Sequence, residues 1–158
     1  MKDLNLPSYS FKITTKEQKK YILDAIRKKF VLLTPEEWVR QNFIRYLVEE
    51  KNYSPNLINV EMGFKLGGSD YRADVVVYNR NGKSLLVVEC KAPDIKIGQK
   101  QFDQIARYNF QLKVPYLIVT NGLDHYCCFM DYKNGRYSFL KEIPEFEQIS
   151  ETPDENSI

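Results

Sequence analysis

Apolar and polar positions change period along the chain, and each change marks an element. Between residues 16 and 30, Tyr21, Ile22, Ala25, Ile26 and Phe30 recur at helical spacing among lysines, which predicts a first helix. Thr34-Pro35-Glu36-Glu37 then reads as a helix start. It offers a hydroxyl N-cap, proline at the first helical position, and a glutamate placed to close a capping box. This second helix is expected to run to about Lys51, with Val39, Phe43, Ile44 and Leu47 facing the core and Asn52 to Asn56 as the stop.

Beyond Asn56 the alternation becomes that of strands. Ile58 to Lys65 reads as a strand, Gly67-Gly68-Ser69-Asp70 as a turn, and Ala73 to Tyr78 as a β-branched strand. Asn79-Arg80-Asn81-Gly82 is a hairpin turn into Ser84 to Cys90, an apolar run of the kind buried on both faces. Ala92-Pro93 ends that strand. Gly98 to Leu112 is expected to be helical, followed by strands at Tyr116 to Thr120, His125 to Asp131 and Tyr137 to Leu140. The expected order is α-α-β-β-β-α-β-β-β. The helix between the strands at 84–90 and 116–120 implies a parallel crossover in a mixed sheet. Residues after Pro144 are expected to be loosely held.

With 158 residues and no internal repeat or linker, the chain fits one domain, residues 1–150 with a core at 34–131 and an acidic tail at 151–158. No apolar run approaches a membrane span, and the N-terminus has no apolar segment typical of a secretion signal. Three cysteines, Cys90, Cys127 and Cys128, lack metal-ligand spacing and fit a reducing cytoplasm. The net charge of +2 hides an asymmetry: residues 1–141 hold all 23 basic residues against 15 acids, and residues 142–158 hold the other six acids and no base. A modestly basic body is compatible with a polyanion partner, although an ordinary solvated surface explains it as simply.

The hairpin changes the picture. Antiparallel pairing about residues 79–82 brings Asp74, at the start of one strand, against Glu89, at the end of the next. Lys91 is two residues on from Glu89 and leaves the same face. A carboxylate beside a buried apolar strand is costly unless paired or metal-bound, and two adjacent carboxylates repel unless a cation lies between them. Mg²⁺ meets that need, with Mn²⁺ as a substitute, and Lys91 would then stand beside a metal-held water. An exposed ion-pair cluster is the plainer explanation of the same three residues.

Asp74 followed by Glu89-Cys90-Lys91 resembles the D…(D/E)xK pattern of the restriction-endonuclease-like nucleases, PD-(D/E)xK. The wider context resembles the N-terminal nuclease domain of type I restriction enzyme R subunits. It is carried by Thr34 to Arg40, Arg72-Ala73-Asp74-Val75-Val76-Val77, Val88 to Pro93, Gln104 to Asn109 and Val119-Thr120-Asn121-Gly122. The resemblance implies a mixed sheet flanked by helices, with extra antiparallel strands at the C-terminal side, and a Mg²⁺-dependent deoxyribonuclease. It implies Asp74, Glu89 and the main-chain carbonyl of Cys90 as metal ligands and Lys91 as the catalytic lysine.

A helical glutamate completes such sites, and Glu37 is the expected one, although a capping box with Thr34 explains it without catalysis. Gln104 and Tyr108 share a helix face and, with Arg107, Lys100 and Arg40, are candidates for DNA contact or site support. Tyr108 packed on the sheet is the alternative. R subunits of this family carry a DNA-translocating motor. No P-loop pattern occurs here, so no ATP site is expected, and the chain is expected to be a relative without the motor. DNA, separate motor or specificity subunits and a second copy of the chain are the expected partners. A module that holds nucleic acid without cutting is the alternative function. His125 is the single histidine, which argues against a nucleophilic triad or a histidine metal site.

Overall fold

The computed structural model describes residues 1–151, apart from the side chain of Leu66. Its first element is not the expected helix. Residues 13–32 form an antiparallel three-stranded sheet of β1 (Ile13–Lys16), β2 (Lys19–Asp24) and β3 (Lys29–Leu32). Two turns override the helical spacing. Glu17 and Gln18 both take positive φ (52° and 66°), the conformation of a tight two-residue hairpin turn. Asp24 then accepts from the backbone N–H groups of Ile26 and Arg27 (2.8 and 2.9 Å), a local bond that competes with helix and turns the chain. Ile22 and Asp24 are the buried residues of β2.

Helix α1 (Pro35–Glu50) starts where expected, with the Glu37 N–H donating to Thr34 Oγ1 (3.0 Å). Val39, Phe43, Ile44 and Leu47 are buried, as their spacing predicts. After a short 3-10 turn (Pro55–Leu57), a six-stranded sheet runs in chain order: β4 (Ile58–Leu66), β5 (Ser69–Tyr78), β6 (Ser84–Cys90), β7 (Tyr116–Thr120), β8 (His125–Asp131) and β9 (Arg136–Leu140). All neighbours are antiparallel except β6 and β7, which are parallel and joined by α2 (Gln99–Phe110). The expected crossover and the extra C-terminal strands are present.

The central strands are apolar on both faces because each face is covered. Val75, Val77, Leu86, Val88 and Ile118 pack with the apolar residues of α1, and Val76, Val87, Leu117 and Val119 pack with Phe102 and Ala106 of α2. The stretch after Pro144 is not loose as far as residue 151. Phe146 and Ile149 of α3 (Phe146–Ile149) are buried, the Phe146 N–H donates to Lys51 O (3.0 Å), and Glu147 pairs with Arg80. The expectation of a loose tail at 152–158 lies outside the described residues. Among those described, no helix is long and apolar enough to cross a membrane.

Candidate metal centre

The hairpin register places the two carboxylates. Val75 pairs with Val88, so one further step along both strands sets Asp74 opposite Glu89 on the same face. The two side chains interact: Asp74 acts on the Glu89 carboxyl through its charge and as a hydrogen-bonding neighbour. Burial, and after it the charge and hydrogen bond of Asp74, push the Glu89 carboxyl well above the usual range, while Lys91 works in the opposite direction. Glu89 Oε1 is buried and has no hydrogen-bond partner among the described residues.

Asp74 is oriented from two sides. The Cys90 N–H donates to its Oδ2 (2.8 Å), and Arg40 Nη1 stands 3.6 Å from its Oδ1. The Lys91 N–H donates to Thr120 O (2.8 Å), which extends the β6–β7 ladder to the site and fixes where the lysine leaves the strand.

Glu37, the helical carboxylate expected from the sequence, is taken up by three donor side chains. Glu37 accepts two hydrogen bonds from Arg40 (2.9 Å each), one from Arg27 (2.9 Å) and one from Gln41 (3.0 Å). Burial opposes its charge, but the bonds from Arg40 and Gln41 and the charge of Arg40 outweigh it, so its carboxyl lies below the usual range. Only the Thr34 half of the expected capping box is present, because the Glu37 side chain points to these donors.

The neighbouring Glu36 feels the charges of the centre. Its half-buried carboxyl is raised by burial and then by Asp74, and lowered by Arg40 and Lys91. One residue is a rotation of about 100° around a helix, which the sequence pattern does not resolve.

Tyr108 of α2 has structural partners of its own. Tyr108 packs on Tyr71 (ring centroids 4.8 Å) and its hydroxyl accepts from the Arg72 N–H (2.9 Å), two residues before Asp74. Gln104 and Lys100 are exposed. Arg107 lines a cavity of about 560 Å³ with Asp103, Phe110, Gly135, Arg136 and Tyr137.

The donor chemistry fits a hard cation: two carboxylates in contact, one oxygen without a partner, and a third carboxylate nearby. Among the described residues no three His, Cys, Asp or Glu side chains are grouped to hold a metal by themselves. An ion here would therefore complete its shell with main-chain oxygen and water, as Mg²⁺ commonly does.

Above about pH 8, where the raised Glu89 carboxyl ionises beside Asp74, Glu89→Gln should relieve the arrangement in metal-free protein, since an amide N–H donates to Asp74 without a second charge. The expected gain is about 2 kcal/mol, the scale of a hydrogen bond to a charged group, read as a raised Tm in EDTA.

The family model for the type I restriction enzyme R protein N terminus (HSDR_N) matches residues 35–144. A solved structure, the fragment of a putative HsdR subunit of a type I restriction enzyme from Vibrio vulnificus YJ016, is similar in fold. The TM-score is 0.51 and the identity 24%, over 74% of this chain and 24% of that one. The chain thus spans about a quarter of the length of that fragment. No curated protein matches. The match across residues 35–144 takes in α1, the whole six-stranded sheet, α2 and every carboxylate of the candidate centre, and the chain belongs to the family of type I restriction enzyme R protein N-termini.

Proposed function

We propose that this chain is a metal-dependent nuclease hydrolysing DNA phosphodiester bonds, with Asp74, Glu89 and the Cys90 carbonyl as ligands of Mg²⁺. Glu36 takes the place expected of Glu37 as the helical carboxylate. The observation that carries this reading is the Asp74–Glu89 pair, in which Glu89 Oε1 is buried with no hydrogen-bond partner among the described residues and is free to serve a cation. When bound, Mg²⁺ supplies a water of lowered pKa and polarises a phosphoryl oxygen.

The chain's own residues do the rest. Asp74 is held in one orientation by the Cys90 N–H and Arg40. Lys91 leaves β6 beside the carboxylates, where its ammonium orients the attacking water and offsets charge growing on the phosphate. Mn²⁺ is expected to substitute. No ATP site is assigned to this chain, and a motor and specificity subunits are its proposed partners. Buried, free Cys90, Cys127 and Cys128 fit a reducing cytoplasm.

The test is nicking of supercoiled DNA with Mg²⁺ or Mn²⁺ against an EDTA control, paired with calorimetric metal titration. Metal-dependent nicking is expected. A second reading, a domain that holds DNA without cutting it, is favoured by the lack of three grouped ligand side chains among the described residues. Metal uptake with no nicking of any DNA form would select it.

Under either reading DNA affinity should fall steeply with salt. If Lys100 and Arg107 each contact a phosphate, Lys100→Ala and Arg107→Ala each weaken binding to all sequences alike and reduce the log–log salt slope by about one. Unchanged slopes would place the DNA path away from α2.

A further inference from the structure

Beside the candidate centre, three arginines and four carboxylates form one connected set. Asp24 anchors Arg27 (2.5 Å to Nε), and Arg27 Nη2 donates to Glu37 Oε1 (2.9 Å). Glu37 holds Arg40 by two parallel bonds of 2.9 Å, and Arg40 Nη1 faces Asp74 at 3.6 Å. Glu61 closes the set from the other side, 3.5 Å from Arg27 Nη1, 3.6 Å from Arg40 Nη2 and 4.0 Å from Arg72 Nη1.

Glu61 is also a backbone outlier. Its φ is +55°, in the middle of β4, where a residue with a Cβ is disfavoured. The register explains what the kink does. Val60 pairs with Val75 and Met62 with Ala73, so Glu61 falls opposite Asp74 without pairing to it. Two carboxylates directly opposite in a sheet repel, and the kink is accompanied by Glu61 meeting the arginines instead.

We propose that Arg27 and Glu61 are positioning residues of the metal centre: together they hold the Arg40 guanidinium near enough to orient Asp74 and too far to occupy it. The proposal rests on the metal-binding reading given above. A free guanidinium beside a carboxylate closes to about 2.7–2.9 Å. Arg40 stops at 3.6 Å from Asp74 because Glu37 fixes its fork and Glu61 draws on the same side chain. Arg27 locks Glu37 and approaches Glu61, so one guanidinium braces both. It lies in the turn after β2, outside the residues 35–144 that the family model matches. The N-terminal sheet thus brings its own residue to the site.

The experiment is calorimetric titration of the whole chain with Mn²⁺, with thermal unfolding to confirm that each variant is folded. Glu61→Gln is expected to weaken Mn²⁺ binding about tenfold, the scale of coupling within one ion-pair network, because Arg40 then closes on Asp74 and competes with the ion. Arg27→Lys keeps a charge but not the fork, and is expected to act in the same direction. In an Arg40→Gln background, or Arg40→Met if that one does not fold, Glu61→Gln should leave the affinity unchanged. Equal weakening in both backgrounds would mean that Glu61 acts directly on the ion, and would overturn the proposal. So would unaltered affinity in Glu61→Gln alone. Failure of the unmodified chain to take up Mn²⁺ overturns the metal-centre reading and this proposal with it, whereas uptake without coupling overturns this proposal alone.

Discussion

Lys91→Ala is expected to keep or tighten Mn²⁺ binding while lowering the nicking rate by about 10²–10⁴-fold, the range lost with a positioned proton-transfer group. A protonated lysine is no metal ligand, and its removal takes a repelling charge away from the ion. Asp74→Ala and Glu89→Ala are expected to lose both properties, because they remove the oxygens that hold the cation. Titration calorimetry and a supercoiled-DNA assay on the same preparations separate the two classes. Equal cutting by the wild type and Lys91→Ala would remove the lysine from the mechanism and leave the carboxylates in place.

The two adjacent glutamates of α1 should part in the same way, but between stability and activity. Glu37→Ala leaves Arg27, Arg40 and Gln41 without the carboxylate on which all three converge. Breaking a buried ion-pair network by removing one partner destabilises by about 3–5 kcal/mol, so chemical denaturation should show a large loss. Glu36→Ala removes a half-buried carboxyl that repels Asp74, and is expected to change stability by less than about 1 kcal/mol. Its nicking rate should nevertheless fall. A Glu36→Ala protein that nicks as fast as the wild type would remove Glu36 from the site.

The sequence made the hairpin, the crossover and the helical face of Val39, Phe43, Ile44 and Leu47 legible because each depends on local spacing. The turn at residues 79–82 brings the two strand ends together, but the pairing of Tyr78 with Ser84 beside it would, if continued, set Asp74 opposite Val88; the irregularity between Val77 and Tyr78 shifts the register by one and sets Asp74 opposite Glu89. The N-terminal sheet was hidden because Tyr21, Ile22, Ala25 and Ile26 have helical spacing, while its turns depend on two positive φ angles at Glu17 and Gln18 and on the side chain of Asp24. The roles of Glu36 and Glu37 were hidden for a different reason. Thr34 and Pro35 locate the helix start, but which glutamate faces the sheet end depends on how α1 packs and on Arg27, a residue from another element. Glu61 left no signal beyond its position in a strand, since its kink is a property of the folded backbone. Tyr108 illustrates the limit of a helix-face argument: it shares a face with Gln104, yet it packs against Tyr71 and the Arg72 backbone.

The central claim is that Asp74 and Glu89 hold one divalent cation between them. Crystals grown with Mn²⁺ and examined by anomalous diffraction test it most directly. The account predicts a single anomalous peak coordinated by both carboxylates and the Cys90 carbonyl, with the Lys91 ammonium close by but outside the coordination shell. An empty centre at saturating Mn²⁺, with the Asp74 and Glu89 carboxyl groups still hydrogen-bonded to each other, would contradict it.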